Sequence, residues 1–232
     1  MNERLTSGAS PNLEPILRWP TERAKHWVEK LLVSAKSDDN IFAVIAIGSA
    51  VRAAVESLDL DLVVVAKDTG QLQCRPPLEI DLRVYPSSEV SSLIRDGNDL
   101  LSWSLMFGKV LFQRNGYWKE LLSSWKGRIP LPSYDQAMTR ARKALMRAQE
   151  MIRSGDQDAA SEMALSYLTH LARAELLRTK EYPKSRPELS GQLRAIGATR
   201  LAECLDRALR KRPMSQEDLA HVLEATDLAK SS

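Results

Sequence analysis

Apolar residues recur along this chain in two rhythms, one giving way to the other near residue 130. After Pro20, Thr21 opens a stretch in which Ala24, Trp27, Val28, Leu31, Leu32 and Ala35 fall at helical spacing, ended by SDDN at 37–40. IFAVIAI at 41–47 is rich in β-branched residues and apolar at consecutive positions, the pattern of a strand covered on both faces. Gly48-Ser49 stops it. LDLDLVVVA (58–66) reads as a second strand, KDTGQLQCRPP (67–77) as a loop, and LEIDLRVY (78–85) as a third strand ended by Pro86. A helical stretch runs from Ser87 to Gly108, then a short strand KVLF (109–112) and a helix around Trp118 to Trp125.

GRIPLPSY (127–134), with two prolines and a glycine, reads as a linker. Beyond it there is no strand pattern. Met138, Ala141, Leu145, Ala148 and Ile152 make one helical stripe; Ala164, Tyr167, Leu168 and Leu171 make another. Pro187 stands where a first helical residue belongs, Gly197 interrupts or ends the helix beyond it, and Ser215-Gln-Glu-Asp218 reads as a capping box opening a last helix. The expectation is an α+β fold: a small mixed sheet flanked by helices over residues 1–130, then a bundle of four or five helices over 131–232.

Composition narrows the function classes. At 232 residues, 44% apolar and 27% charged, the chain is ordinary globular material and not a disordered one. Its longest apolar run, Ile41 to Ile47, is far short of the ~20 residues that span a bilayer. MNERLTSGASPN has no apolar signal core, and Cys74 and Cys204 are 130 positions apart without CxxC spacing. A cytoplasmic location is therefore expected, with neither a disulfide framework nor a zinc site. The net charge is +3, and residues 131–232 hold all of the excess, 17 basic against 14 acidic. That suits an anionic ligand more than a long nucleic acid.

The chemistry concentrates in IAIGSAVRAAVESLDLDLVVV and LEIDLRV. Asp59 and Asp61 are two apart on a predicted strand, so their carboxylates leave one face and repel each other unless a cation intervenes. Mg²⁺ suits such a place, taking a few carboxylates plus phosphate oxygens. Gly48-Ser49, with nine residues between Ser49 and Asp59, lets backbone N–H groups approach an anion and adds a hydroxyl. Phosphate donors beside a carboxylate pair make a metal–nucleotide site. Asp81 offers a third carboxylate between Ile80 and Leu82. Glu79 and Arg83 share its face, however, so the solvated side of an edge strand is an equal reading.

These residues resemble the DNA polymerase β-type nucleotidyltransferase superfamily, in particular its small bacterial members. The pattern is an apolar strand, Gly-Ser, a gap of about ten residues, Asp-x-Asp, and a later acid between apolar residues; Gly48, Ser49, Asp59, Asp61 and Asp81 occupy those positions. Arg52 matches the arginine of the GSxxR form. The resemblance implies two Mg²⁺ ions held by Asp59, Asp61 and Asp81, and a nucleoside triphosphate donor, ATP. It also implies transfer of a nucleoside monophosphate to a hydroxyl. The helical half looks like the substrate-binding bundle of kanamycin nucleotidyltransferase and HEPN-type domains. The chain departs from the pattern at Ala53, where a Gly is common, and at Ser57, which Leu58 separates from Asp59.

Other polar residues have plainer readings. Arg52 has the alternative of pairing with Glu56 one helical turn on. The basic face with Arg140, Arg142, Lys143 and Arg147 is a solvated face, or Lys143 reaches the triphosphate. His26, His170 and His221 read as helix-surface residues, and Glu162 and Glu175 are undistinguished from other surface acids. The five tryptophans, 19, 27, 103, 118 and 125, read as core and domain-interface residues. The acceptor expected is a small hydroxylated molecule or a protein side chain. A regulatory, antitoxin-like protein and a tRNA-modifying enzyme are the alternatives.

Overall fold

The computed structural model describes residues 13–52, 59–71, 75–210 and 213–228. The chain forms two compact units, Met1–Ile129 and Pro130–Ser232. Ala53, Glu56, Ser57 and Cys74 lie outside the described residues.

The first unit is a four-stranded mixed sheet with helices on both faces. Helix α1 (Glu22–Ser37) starts at Thr21, whose side chain accepts from Ala24 N at 3.1 Å. Strands β1 (Ile41–Ile47), β2 (Leu60–Ala66), β3 (Ile80–Pro86) and β4 (Lys109–Gln113) take the order β3-β2-β1-β4. β1 pairs antiparallel with β2 and with β4, while β2 and β3 run parallel. Central β1 and β2 are buried on both faces, which is why neither shows polar alternation. Val44, Ala46, Leu60, Leu62, Val64 and Ile80 pack against α1. Ala43, Ile45, Ile47, Val63 and Val65 face the other side. They meet helices α2 (Val90–Arg95), α3 (Asp99–Phe107) and α4 (Tyr117–Trp125) there.

The expected single helical stretch from Ser87 is two helices. Gly97, at φ 80°, ends α2, and the Asn98 side chain accepts from Leu101 N at 3.0 Å to start α3. Trp118 is buried in the core on this side, and Trp19, Trp27, Trp103 and Trp125 are partly buried against the two sheet cores.

The second unit is helical throughout its described residues. Helices α5 (Tyr134–Ser154) and α6 (Gln157–Arg178) are joined through Gly155 and Asp156, a connection short enough to fold them back on one another. Gly155 ends α5 at φ 79°, and Asp156 caps α6 by accepting from Ala159 N at 2.9 Å. α6 is central, packed against α5 and against α7 (Arg186–Ala195), α8 (Thr199–Arg210) and α9 (Gln216–Leu228). Pro187 sits in the first turn of α7 behind a Ser185–Glu188 capping box. The expected capping box forms at Ser215: its Oγ accepts from Asp218 N at 3.1 Å and donates to Asp218 Oδ2 at 2.8 Å. Among the described residues no helix is long and apolar enough to cross a membrane.

Candidate active site

The carboxylates of interest gather at one end of the sheet, on the α3 side. Asp61 is the second residue of β2, opposite Ile47 on the antiparallel β1 and opposite Asp81 on the parallel β3. Side chains directly opposite on neighbouring strands stand ~5 Å apart, so Asp61 and Asp81 are lateral neighbours on one face. Asp59 immediately precedes β2, two residues before Asp61, and is exposed. Its negative charge and that of Asp81 both act on Asp61.

Asp61 is the perturbed member. Its carboxyl is raised from 3.8 to about 6, first because burial disfavours the charged form, then because Asp59 and Asp81 repel a further negative charge. The Arg83 guanidinium opposes this. Arg83 lies two residues after Asp81 on the same face of β3, and its Nη2 donates to Asp81 Oδ2 at 3.0 Å. Beside them opens a cavity of about 330 Å³, with Ile47, Asp61, Asp81, Arg83, Tyr85 and Leu100 among its walls.

Gly48 follows Ile47 directly, so the hairpin pairing places it beside Asp61. Its backbone (φ 81°, ψ −160°) belongs to a region that L side chains avoid. Space excludes a side chain as well: a Cβ at this position would collide with Asp61 Oδ2 and stand 3.3 Å from Asp61 Cγ. Glycine is thus what lets the carboxylate close on the turn. Ser49 then begins a 3₁₀ turn, Ser49–Val51. Arg52 N donates to Ser49 O at 3.2 Å, and Leu17 N donates to Ala50 O at 2.9 Å. Ala50 and Val51 are buried against α1, which anchors the turn.

Arg52 points to α3. Its guanidinium carbon stands 4.5 Å over the Phe107 ring, and Phe107 in turn packs on Trp103 at 5.1 Å between centroids. Its alternative partner, Glu56, falls outside the described residues. Lys143 is in the second unit, exposed on α5.

The structure therefore brings Gly48, Asp59, Asp61 and Asp81 together, with Ser49 and Arg52 on the turn beside them. Sequence reasoning missed Tyr85 and Leu100 as cavity walls and used Arg83 only as a sign of solvation. The two-residue spacing from Asp81 was the available signal for Arg83 and Tyr85. The donor set is carboxylate oxygen, the hard kind that Mg²⁺ takes. Asp61 is raised because burial and its two carboxylate neighbours outweigh the opposing charge of Arg83. Among the described residues, no three such groups already converge on one point as an ion's ligands do.

No family model matches the chain, and no curated protein matches it in sequence. Among solved structures, it is similar to a nucleotidyltransferase-like protein from Exiguobacterium sibiricum 255-15. The identity is 15% and the TM-score 0.41, over 88% of this chain and 76% of that one.

Proposed function

We propose that this chain is a Mg²⁺-dependent nucleotidyltransferase of the DNA polymerase β type. It would move a nucleoside monophosphate, AMP from ATP, onto a hydroxyl of a small molecule or a protein. The observation that carries this reading is Asp61, a partly buried carboxylate pressed against the Gly48 turn with Asp59 and Asp81 as neighbours. Such crowding is unfavourable in a resting protein and is useful where a cation must be drawn in.

Asp59, Asp61 and Asp81 are the residues that would hold Mg²⁺. Two bound ions would neutralise the phosphates and make the acceptor hydroxyl more acidic. Gly48 and Ser49 would bind the outer phosphates through the turn, with Arg52 or Lys143 adding positive charge. Asp81, at the open edge of the cavity, would accept the hydroxyl proton. The acceptor oxygen then bonds to the α-phosphorus as the bond to the bridging oxygen breaks, and pyrophosphate leaves with that electron pair.

A second reading has one observation behind it. Asp81 is paired with Arg83 on an edge strand, as a merely solvated carboxylate would be. On that reading the chain keeps the fold and acts through protein contacts.

Calorimetry with ATP separates the two, since the carboxylate cluster repels a bare triphosphate. Binding with Mg²⁺ and its loss in EDTA are expected; equal affinity in both would sink the metal mechanism. Incubation with α-labelled ATP and separate pools of aminoglycosides, cell protein and cell RNA then reads the acceptor class. Label chiefly on RNA would overturn the choice of acceptor.

A further inference from the structure

Arg83 is a cation inside an acidic site. It pairs with Asp81 at 3.0 Å, lines the same cavity as Asp61 and Asp81, and sits on the strand that lies beside Asp61. The pair is also loosely held: the Arg83 side chain is 60% exposed and that of Asp81 is 48% exposed. An ion pair this open to water is weak, and a doubly charged ion can displace it. Its guanidinium would then remain over the cavity, because the backbone of β3 fixes where the side chain starts. A guanidinium fork matches phosphate oxygens as well as it matches a carboxylate.

We propose that Arg83 is an exchangeable cation of this site, neutralising Asp81 while no divalent ion is bound and turning to the triphosphate once one is. This deepens the metal–nucleotide reading and rests on it. The two states share one carboxylate, so metal and guanidinium compete for Asp81 and then cooperate on the nucleotide. Arg83 is thus a positioning residue for Asp81 in the empty site and a binding residue in the loaded one.

The signature is a pair of effects of opposite sign, which a purely structural surface ion pair would not produce. Arg83→Gln in the full chain is titrated with Mn²⁺ alone by calorimetry, and then with ATP at saturating Mg²⁺. Mn²⁺ is expected to bind about two- to fivefold tighter than in the unsubstituted protein, since its competitor is gone. ATP with Mg²⁺ is expected to bind about tenfold weaker, for want of a charged donor. Arg83→Lys, which keeps the charge without the fork, should fall between on both measurements. Unchanged or weakened Mn²⁺ binding in Arg83→Gln overturns the proposal while leaving the metal site standing. So does an unchanged affinity for ATP. Absence of Mn²⁺ binding in the unsubstituted protein overturns the metal reading, and this proposal with it.

Discussion

Removing the charge of Asp61 should stabilise the metal-free protein, by an amount that grows with pH. Asp61 is raised from 3.8 to about 6 by burial and by the neighbouring carboxylates. The folded state thus holds its proton more tightly than the unfolded chain. The stability this lends is complete below 3.8 and is lost as pH rises through about 6. At ~1.4 kcal/mol per pH unit, the loss amounts to about 3 kcal/mol at pH 7 and roughly half of that at pH 5. Asparagine has the same shape and no charge, so Asp61→Asn avoids the loss. A gain of about 1–3 kcal/mol is expected at pH 7 in EDTA, shrinking toward zero below pH 4.

The assay is already in the sequence. All five tryptophans lie between residues 19 and 125, within the first unit, so urea unfolding followed by tryptophan fluorescence reports the unit that carries Asp61. Mg²⁺ should then raise the midpoint of the unsubstituted protein and leave Asp61→Asn unmoved, because only a folded state with its ligands intact gains from binding. A variant less stable than the parent at pH 7, or a gain that does not vary between pH 4 and pH 7, would refute the account of Asp61.

Three other substitutions test separate parts of the structure. Gly48→Ala must leave its positive-φ conformation or displace the Asp61 carboxylate, so a loss of about 1–3 kcal/mol is expected in the same unfolding assay, together with loss of Mn²⁺ binding. Asp81→Asn removes an exposed carboxylate, so the fold should change by less than about 1 kcal/mol. AMP transfer should nonetheless fall about 10²–10⁴-fold if Asp81 takes the acceptor proton, and an active variant would favour the edge-strand reading. Arg114→Ala should lose about 2–3 kcal/mol in urea unfolding. The Arg114 side chain donates to Ala35 O at 2.8 Å, Asp38 O at 3.1 Å and Ile41 O at 3.2 Å, and pairs with Asp39 at 2.9 Å, which ties the end of α1 to β1 and β4.

Legibility in the sequence divides by the range of the interactions involved. Strands β1, β2 and β4 were legible because continuous apolar runs bounded by glycine and polar residues have few other uses, and α1, α5 and α6 because their stripes repeat at helical spacing. Gly97-Asn98 is a helix stop followed by a cap, and it was passed over because the apolar residues on either side continue the same rhythm. Arg114 could not have been found at all. Its carbonyl partners are more than 70 positions away, and nothing local marks it as a staple. Tyr85 and Leu100 escaped for a similar reason, since the cavity they line forms only when β3 and α3 meet at the sheet's end. Asp81 was balanced between ligand and surface acid because the outcome depends on strand register, which one sequence does not encode visibly. The parallel pairing sets it opposite Asp61, and the same strand sets Arg83 beside it, so both readings have a physical basis.

Gly48 shows how a correct choice of residue can rest on part of its reason. The sequence argued for glycine there because backbone N–H groups must come close to an anion. In the folded chain the anionic group pressed against that glycine is Asp61, and the space a Cβ would need is filled by its carboxylate. The antiparallel pairing of Ile47 with Asp61 fixes this meeting. The glycine is needed at 48 because that position directly succeeds the residue paired with the second aspartate. Moving Gly48 by one position would turn the next side chain onto Asp61 and empty the cluster of its most strongly perturbed carboxylate.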